Sequence, residues 1–113
     1  MLAASGQQTV ARASSAETLA LVMGSPDEGA AYRLDPALPR DAQQIEVRAY
    51  AGAGGSLAEV TLLVDGRPLA RFGAPPYQAL WRLEAGRHVF SAEGVTAGGE
   101  QVVSDEVWIE VRE

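Results

Sequence analysis

Short segments in which apolar and polar residues alternate recur along the chain, and each is bounded by residues that favour turns. Apolar side chains occupy every second position in residues 45–50, 58–64, 77–83 and 87–92. A period of two places one set of side chains on one face of a β-strand. The intervening turns fall roughly every eight to twelve residues, and no segment between them has the period of a helix. The pattern predicts an all-β, antiparallel β-sandwich of about seven strands.

Three local signals refine this architecture. Asp65-Gly66 lies between two strand segments and predicts a hairpin, because Asp-Gly readily adopts the positive φ angles of a type I′ turn. The returning strand, residues 67–72, contains Pro68, which has no N–H to donate, so we expect this strand at a sheet edge. Trp81 lies on an alternating apolar face and is expected in the core, and residues 102–111 are expected to form one closing strand. Together these features favour an immunoglobulin-like or fibronectin-III-like sandwich.

The chain has 113 residues, the size of one domain. Residues 1–17 are small and polar and indicate a linker or arm, with a short helix over residues 9–21 as an alternative. Residues 18–113 are expected to form the sandwich domain. Two prolines make residues 35–40 a connection rather than a central strand, and we expect Leu38 to anchor it to the core.

Charge and cysteine content exclude several classes of function. The net charge is −6, and the nine basic residues are all Arg and dispersed along the chain, which argues against a nucleic-acid or anionic-membrane binder, where a basic face would be expected. There is no cysteine, which excludes disulfides and thiolate metal sites. No apolar run approaches the ~20 residues that span a bilayer, so direct membrane insertion is not expected. No cofactor or metal is predicted.

The sequence offers little for catalysis. The single histidine, His88, is of the type used as a general base or metal ligand, but its place in a strand beside an apolar residue favours a half-buried structural role. Carboxylates adjoin at Asp27 and Glu28, and at Asp105 and Glu106, where a solvated or turn-forming role is favoured over glycoside hydrolysis. No motif of a serine nucleophile is present. We therefore expect no catalytic residues.

Two aromatic residues are predicted to face outward. Val107 and Ile109 form the apolar face of the last strand, which places Trp108 on the opposite face, and Tyr50 is likewise on the polar face of residues 45–50. An exposed aromatic ring stacks on sugars or anchors a neighbouring domain. The alternative, favoured for Trp108, is that the N-terminal arm covers the ring. Trp108 and Tyr50 form the candidate interaction surface.

Several motifs resemble those of a known family. The matching residues are Ser25-Pro26 with Gly29, the run Tyr32-Arg33-Leu34-Asp35-Pro36, Gln43 before a strand, the hairpin Val64-Asp65-Gly66-Arg67-Pro68-Leu69, Trp81, and Gly86-Arg87-His88. In this pattern the chain resembles the C-terminal domain of bifunctional penicillin-binding proteins of the C type. It departs from the family at Leu62, where an aromatic residue is usual. The second half is also similar to bacterial Ig-like repeat domains.

The resemblance implies a non-catalytic accessory domain of a peptidoglycan synthesis enzyme. Such a domain would position the catalytic domains of its parent chain, or contact peptidoglycan or a cell-wall protein. It would be extracytoplasmic, with the export signal on a longer parent chain. The alternatives are a generic Ig-like spacer or adhesion module of a surface protein, and a carbohydrate-binding module, which requires exposed aromatic residues on one face.

Overall fold

The structure, a computed structural model, describes residues 21–52 and 57–113. Nine β-strands occur in this part of the chain: β1 (Leu21–Ser25), β2 (Ala30–Arg33), β3 (Gln44–Ala51), β4 (Glu59–Val64), β5 (Arg67–Phe72), β6 (Tyr77–Arg82), β7 (Gly86–Val95), β8 (Gln101–Val103) and β9 (Val107–Arg112). A 3₁₀ turn at Arg40–Ala42 precedes β3. Within the described ranges, no helix is long and apolar enough to cross a membrane.

The strands form two sheets that pack face to face. The smaller sheet has the order β1-β3-β6, and the larger has the order β2-β9-β7-β4-β5, with β8 paired to β7. The predicted all-β sandwich is confirmed. One pair differs from the antiparallel expectation, because β2 lies parallel to β9. Strand β1 pairs with β3 in the smaller sheet, and the chain then crosses to the larger sheet, where β2 pairs with the edge of β9.

The core consists of the inward faces that the alternation predicted. The largest side chains without exposed surface are Phe90, Leu62, Ile109, Val47 and Val60. Trp81 is 8 % exposed and contacts the ring of Phe90 edge-on at 5.2 Å between ring centroids, which confirms it as a core residue. Burying each such aliphatic or aromatic side chain stabilises the fold by about 1.5–3 kcal/mol.

The β4–β5 hairpin has the predicted turn and the predicted place. Asp65 and Gly66 have φ angles of 54° and 81°, as a type I′ turn requires. Strand β5 lies at the edge of the larger sheet, so Pro68 removes no hydrogen bond from a central ladder. The hairpin therefore ends the sheet on this side.

The predicted single strand over residues 102–111 is wrong, because the structure divides it into β8 and β9. The hydroxyl of Ser104 accepts a hydrogen bond from the Ala92 N–H at 2.9 Å and donates one to the Asp105 carbonyl at 2.7 Å. A serine side chain that bonds to nearby backbone competes with the strand ladder. After β8 the chain therefore breaks its pairing with β7, and it pairs with β7 again as β9.

The connection between β2 and β3 is held by a different residue from the one predicted. Leu38 is 52 % exposed and does not anchor the loop. Instead the Gln43 side-chain oxygen accepts from the Asp35 N–H at 2.7 Å, and its amide nitrogen donates to the carbonyls of Asp35 and Leu38 at 3.1 and 3.3 Å. Two prolines cannot donate to a strand ladder, so this loop lies outside the sheets, and the side-chain amide of Gln43 supplies hydrogen bonds to its backbone instead.

The predicted arm over residues 1–17 lies outside the described residues, as do residues 18–20 and 53–56 of the predicted sandwich domain. The helix considered over residues 9–21 does not extend to Leu21, which begins β1.

Candidate interaction surface

Trp108 lies on the outer face of the larger sheet. Its neighbours Val107 and Ile109 are buried, whereas the indole is 36 % exposed. The ring is adjacent to Gly29, where an added Cβ would lie 3.6 Å from Cζ2 of Trp108. The Gly29 N–H also donates to the Trp108 carbonyl at 2.8 Å. Gly29 has a φ of 78°, which favours glycine, whereas an added Cβ would make only ordinary van der Waals contact with the indole.

Arg87 covers part of the indole. Its guanidinium carbon lies 4.5 Å from the centroid of the Trp108 ring, within the range of a cation–π interaction. The two residues are diagonal neighbours, because Arg87 is paired across the β7–β9 ladder with Glu110 and Trp108 with Val89. The guanidinium and the indole thus form one cation–π pair on the sheet surface.

Tyr50 lies on the outer face of the smaller sheet and is 48 % exposed. Its ring covers Gly24 of the neighbouring strand, where any Cβ would overlap Cε2 of the tyrosine. Its hydroxyl accepts a hydrogen bond from Arg48 Nη1 at 2.9 Å, and the same guanidinium forms an ion pair with Glu46. Tyr50 is therefore held flat against the sheet by its neighbours.

A groove of about 350 Å³ adjoins Tyr50, lined by Arg48, Ala49, Tyr50, Ala51, Pro75, Pro76 and Tyr77. Strand β6 begins at Tyr77, which pairs with Ala49, so the last two residues of β3 extend beyond the end of β6 and do not pair with it. The groove lies beside these two residues, where Pro75 and Pro76 lead the chain away from β3. Its lining is mostly apolar.

The structure does not bring the two candidate aromatic residues together. Trp108 is in β9 of the larger sheet and Tyr50 is in β3 of the smaller one, and each points away from the core. The two rings consequently lie on opposite sides of the sandwich. The paired aromatic platform required of a carbohydrate-binding module is not assembled from these two residues, and each remains a separate candidate.

His88 is 8 % exposed, and both ring nitrogens have partners. Nδ1 lies 2.7 Å from Asp65 Oδ2 and Nε2 lies 2.9 Å from the Glu84 carbonyl oxygen. The ring also meets Trp81 edge-on at 4.8 Å. Burial lowers the pKa of His88, but the hydrogen bonds with Asp65 and Glu84 outweigh it, so the pKa lies above its ordinary value. The histidine joins the hairpin turn to β7, a pairing across 23 residues that no local pattern signals.

The neighbouring carboxylates do not form a site in the described structure. In residues 21–52 and 57–113, no three His, Asp or Glu side chains are grouped so as to hold a metal ion. Asp105 and Glu106 are exposed in the break between β8 and β9, and Asp27 and Glu28 are exposed in the turn before Gly29.

Comparison with known families settles the relationship of the chain. The sequence model of the Penicillin-Binding Protein C-terminus Family matches residues 10–104. The chain belongs to this family. A search of curated proteins finds no match.

Solved structures of other proteins have an architecture similar to that of this chain. Fibronectin(III)-like modules of Clostridium thermocellum CbhA are similar with a TM-score of 0.63 and 18 % identity, covering 81 % of this chain and 95 % of theirs. A Bacteroides uniformis beta-glucuronidase is similar with a TM-score of 0.51 and 20 % identity, covering 82 % of this chain and 10 % of that enzyme. At these identities the likeness shows the fold, which is fibronectin-III-like.

The residues that carry the family resemblance have internal partners. The Ser25 hydroxyl donates to the Glu46 carbonyl at 2.9 Å, Gln43 holds the loop before β3, and Asp65 and His88 bond to each other. Trp81 fills the core. These motifs therefore build an accessory domain, and its outer faces are what it presents to other molecules.

Proposed function

We propose that this C-terminus family member is a non-catalytic accessory domain of a bacterial peptidoglycan-synthesising enzyme. It positions the enzyme's catalytic domains by contacting the wall glycan, outside the cytoplasmic membrane. The observation that carries the proposal is the family match over residues 10–104. The internal roles of Gln43, Asp65 and His88 support it, because residues used to hold loops together are not available to a substrate.

The contact with the wall is assigned to the outer face of β9. Trp108 is a half-buried aromatic side chain on a rigid strand, and aromatic rings of this kind stack on sugars. Its ring is fixed between Gly29 and Arg87, so little conformational entropy is lost when a ligand binds.

Sedimentation of the 113-residue chain with insoluble peptidoglycan tests the proposal. We expect saturable binding by the wild type and roughly tenfold weaker binding by Trp108→Ala, as for the loss of a single aromatic contact of about 1.4 kcal/mol. Leu80→Ala is the matched control, because Leu80 is 62 % exposed on the other sheet. Equal binding by Trp108→Ala and wild type would remove the assignment to β9.

A second candidate, a spacer module, is favoured by the likeness to fibronectin(III)-like modules. It predicts no binding to the wall by the wild type. In that event the domain would act by holding neighbouring domains apart.

A further inference from the structure

A basic face lies on a protein whose net charge is −6. Arg33, Arg87 and Arg112 all project from the outer side of the larger sheet, where β2 and β9 end and β7 begins. Their inward neighbours Tyr32, His88 and Val111 pack towards the core, which fixes the outward direction of the three arginines. We call these three arginines, with Trp108 beside them, the basic face.

The positive charge of the basic face is poorly compensated. Arg33 and Arg112 are direct partners in the parallel β2–β9 pair. Like charges directly opposite each other on neighbouring strands destabilise a sheet. Glu110 is the carboxylate among them, and it lies 3.6 Å from Arg112. In the described part of the chain, no carboxylate lies within ion-pairing distance of Arg33 or Arg87.

Arg87 is held in a geometry suited to recognising a planar anion. Its guanidinium carbon lies over the Trp108 ring, 4.5 Å from the ring centroid. The N–H donors that are not directed at the ring can meet the two oxygens of a carboxylate. An arginine already held by a cation–π contact loses less side-chain entropy when it binds.

The size of the basic face indicates an extended ligand. Arg33 and Arg87 are on strands separated by β9, and their partners in β9, Arg112 and Glu110, are two residues apart, so their backbones lie roughly 12 Å apart. This spacing suits a ligand with several separated carboxylates better than one small anion. A chain bearing repeated negative charges can reach both guanidinium groups while one of its rings contacts the exposed part of Trp108.

We propose that the basic face binds a glycan whose sugars carry carboxylate-bearing substituents, with the carboxylates on Arg33, Arg87 and Arg112 and a sugar ring against Trp108. This rests on the proposed wall contact and specifies its chemistry. The acidic residues elsewhere on the surface keep such a ligand on this face, because they repel it from the rest of the domain.

The test compares insoluble peptidoglycan with the same material after its carboxylates are converted to neutral amides. Each of Arg33→Gln and Arg87→Gln removes one exposed charge contact, which predicts roughly two- to fivefold weaker binding to the native material. The double variant should bind about tenfold more weakly. Amidation should weaken binding by the wild type more than binding by the double variant, because the double variant keeps Arg112 as its one remaining carboxylate contact on this face.

Two further variants separate recognition from folding. Arg71→Gln is the matched control, because Arg71 is exposed, lies on edge strand β5 and pairs with Glu59 at 3.7 Å. It should bind like the wild type. Glu110→Gln removes the one negative charge within the basic face and should tighten binding about twofold, an effect that a loss of folding cannot produce.

The outcomes distinguish this inference from the proposed function. Binding by the wild type that is insensitive to amidation and to the double variant would overturn the role of the basic face and leave the wall contact standing. No binding by the wild type to native peptidoglycan would overturn both.

Discussion

The bond between Asp65 and His88 makes the stability of the fold depend on pH. Asp65 Oδ2 lies 2.7 Å from His88 Nδ1, and Oδ1 accepts the Val89 N–H at 2.9 Å. His88 Nε2 faces the Glu84 carbonyl at 2.9 Å. Since both neighbours of the ring are acceptors, both nitrogens must donate, and only the protonated imidazole can do so.

The pKa shifts give the direction of the dependence. Burial lowers the pKa of His88, yet its hydrogen bonds raise it above 6.5, so the stabilisation is complete below about pH 6.5 and is lost as the pH rises through the folded-state pKa. Burial raises the pKa of Asp65, but the hydrogen bonds from His88 and Val89 bring it below 3.8. That contribution is present above about pH 3.8 and is lost as the pH falls through the folded-state pKa. The pair therefore stabilises the fold most between these limits.

Asp65→Asn isolates the charge. Asparagine tolerates the φ of 54° at this position and keeps an oxygen that can accept the Val89 N–H. It carries no negative charge, however, and therefore loses the charged hydrogen bond with protonated His88. Hydrogen bonds to charged groups contribute about 1.5–3 kcal/mol. Because the Asp65 side chain is 45 % exposed, water replaces part of the lost interaction, and we expect a cost of about 1 kcal/mol near pH 5.5. That corresponds to about 4 °C in Tm for a chain of this size.

Urea denaturation measured at several pH values between about pH 5 and pH 8 gives the free energy of unfolding. The wild type should lose stability as the pH rises, and Asp65→Asn should show a flatter profile. Asp41→Asn is the control, because Asp41 is 83 % exposed in its ion pair with Arg82 and should change stability by less than about 0.5 kcal/mol. Parallel profiles for the wild type and Asp65→Asn would refute the assignment of the pH dependence to this pair.

Three further substitutions test the packing described above. Phe90→Ala, at a position with no exposed surface, should lower the free energy of unfolding by about 3–5 kcal/mol, as measured by denaturation. The exposed control Leu80→Ala should lower it by less than about 0.5 kcal/mol, and comparable losses in the two variants would contradict the assigned core. Gly24→Ala should cost about 1 kcal/mol by displacing the Tyr50 ring, and almost nothing when Tyr50→Ala is already present, which a double-mutant cycle measures. Gln43→Leu should cost about 2–3 kcal/mol and speed amide exchange at residues 35 and 37–38, and unchanged exchange would show that the side chain does not hold the loop.

The parts of the fold that depend on residues adjacent in the sequence could be predicted. The alternation in β4 and β7 identified their buried faces, because the period of two follows from strand geometry alone. Asp65-Gly66 identified its turn, since few dipeptides accept two positive φ angles. The outward direction of Trp108 followed in the same way.

The features that depend on strand order could not be predicted. Nothing near Arg33 in the sequence indicates that Arg112 will lie beside it, because the β2–β9 pairing joins the two ends of the domain. The bond between Asp65 and His88 likewise arises from packing between β7 and the hairpin. The exposed position of Leu38 was missed because its hydrophobicity indicated burial, whereas Gln43 satisfies the loop carbonyls and holds it in place.

The parallel arrangement of β2 and β9 determines how this domain carries a mechanical load. Strand β1 begins at one end of the sandwich and β9 finishes at the other, so tension applied to Leu21 and Arg112 pulls β2 and β9 in opposite directions along their common axis. Bonds flank this ladder on both sides, from the Gly29 N–H to the Trp108 carbonyl at 2.8 Å and from the Leu34 N–H to the Arg112 carbonyl at 2.7 Å. Hydrogen bonds loaded in shear share the force and must break together, whereas those of a peeled hairpin break one by one. The parallel pair is therefore a mechanical clamp between the two ends of the described domain.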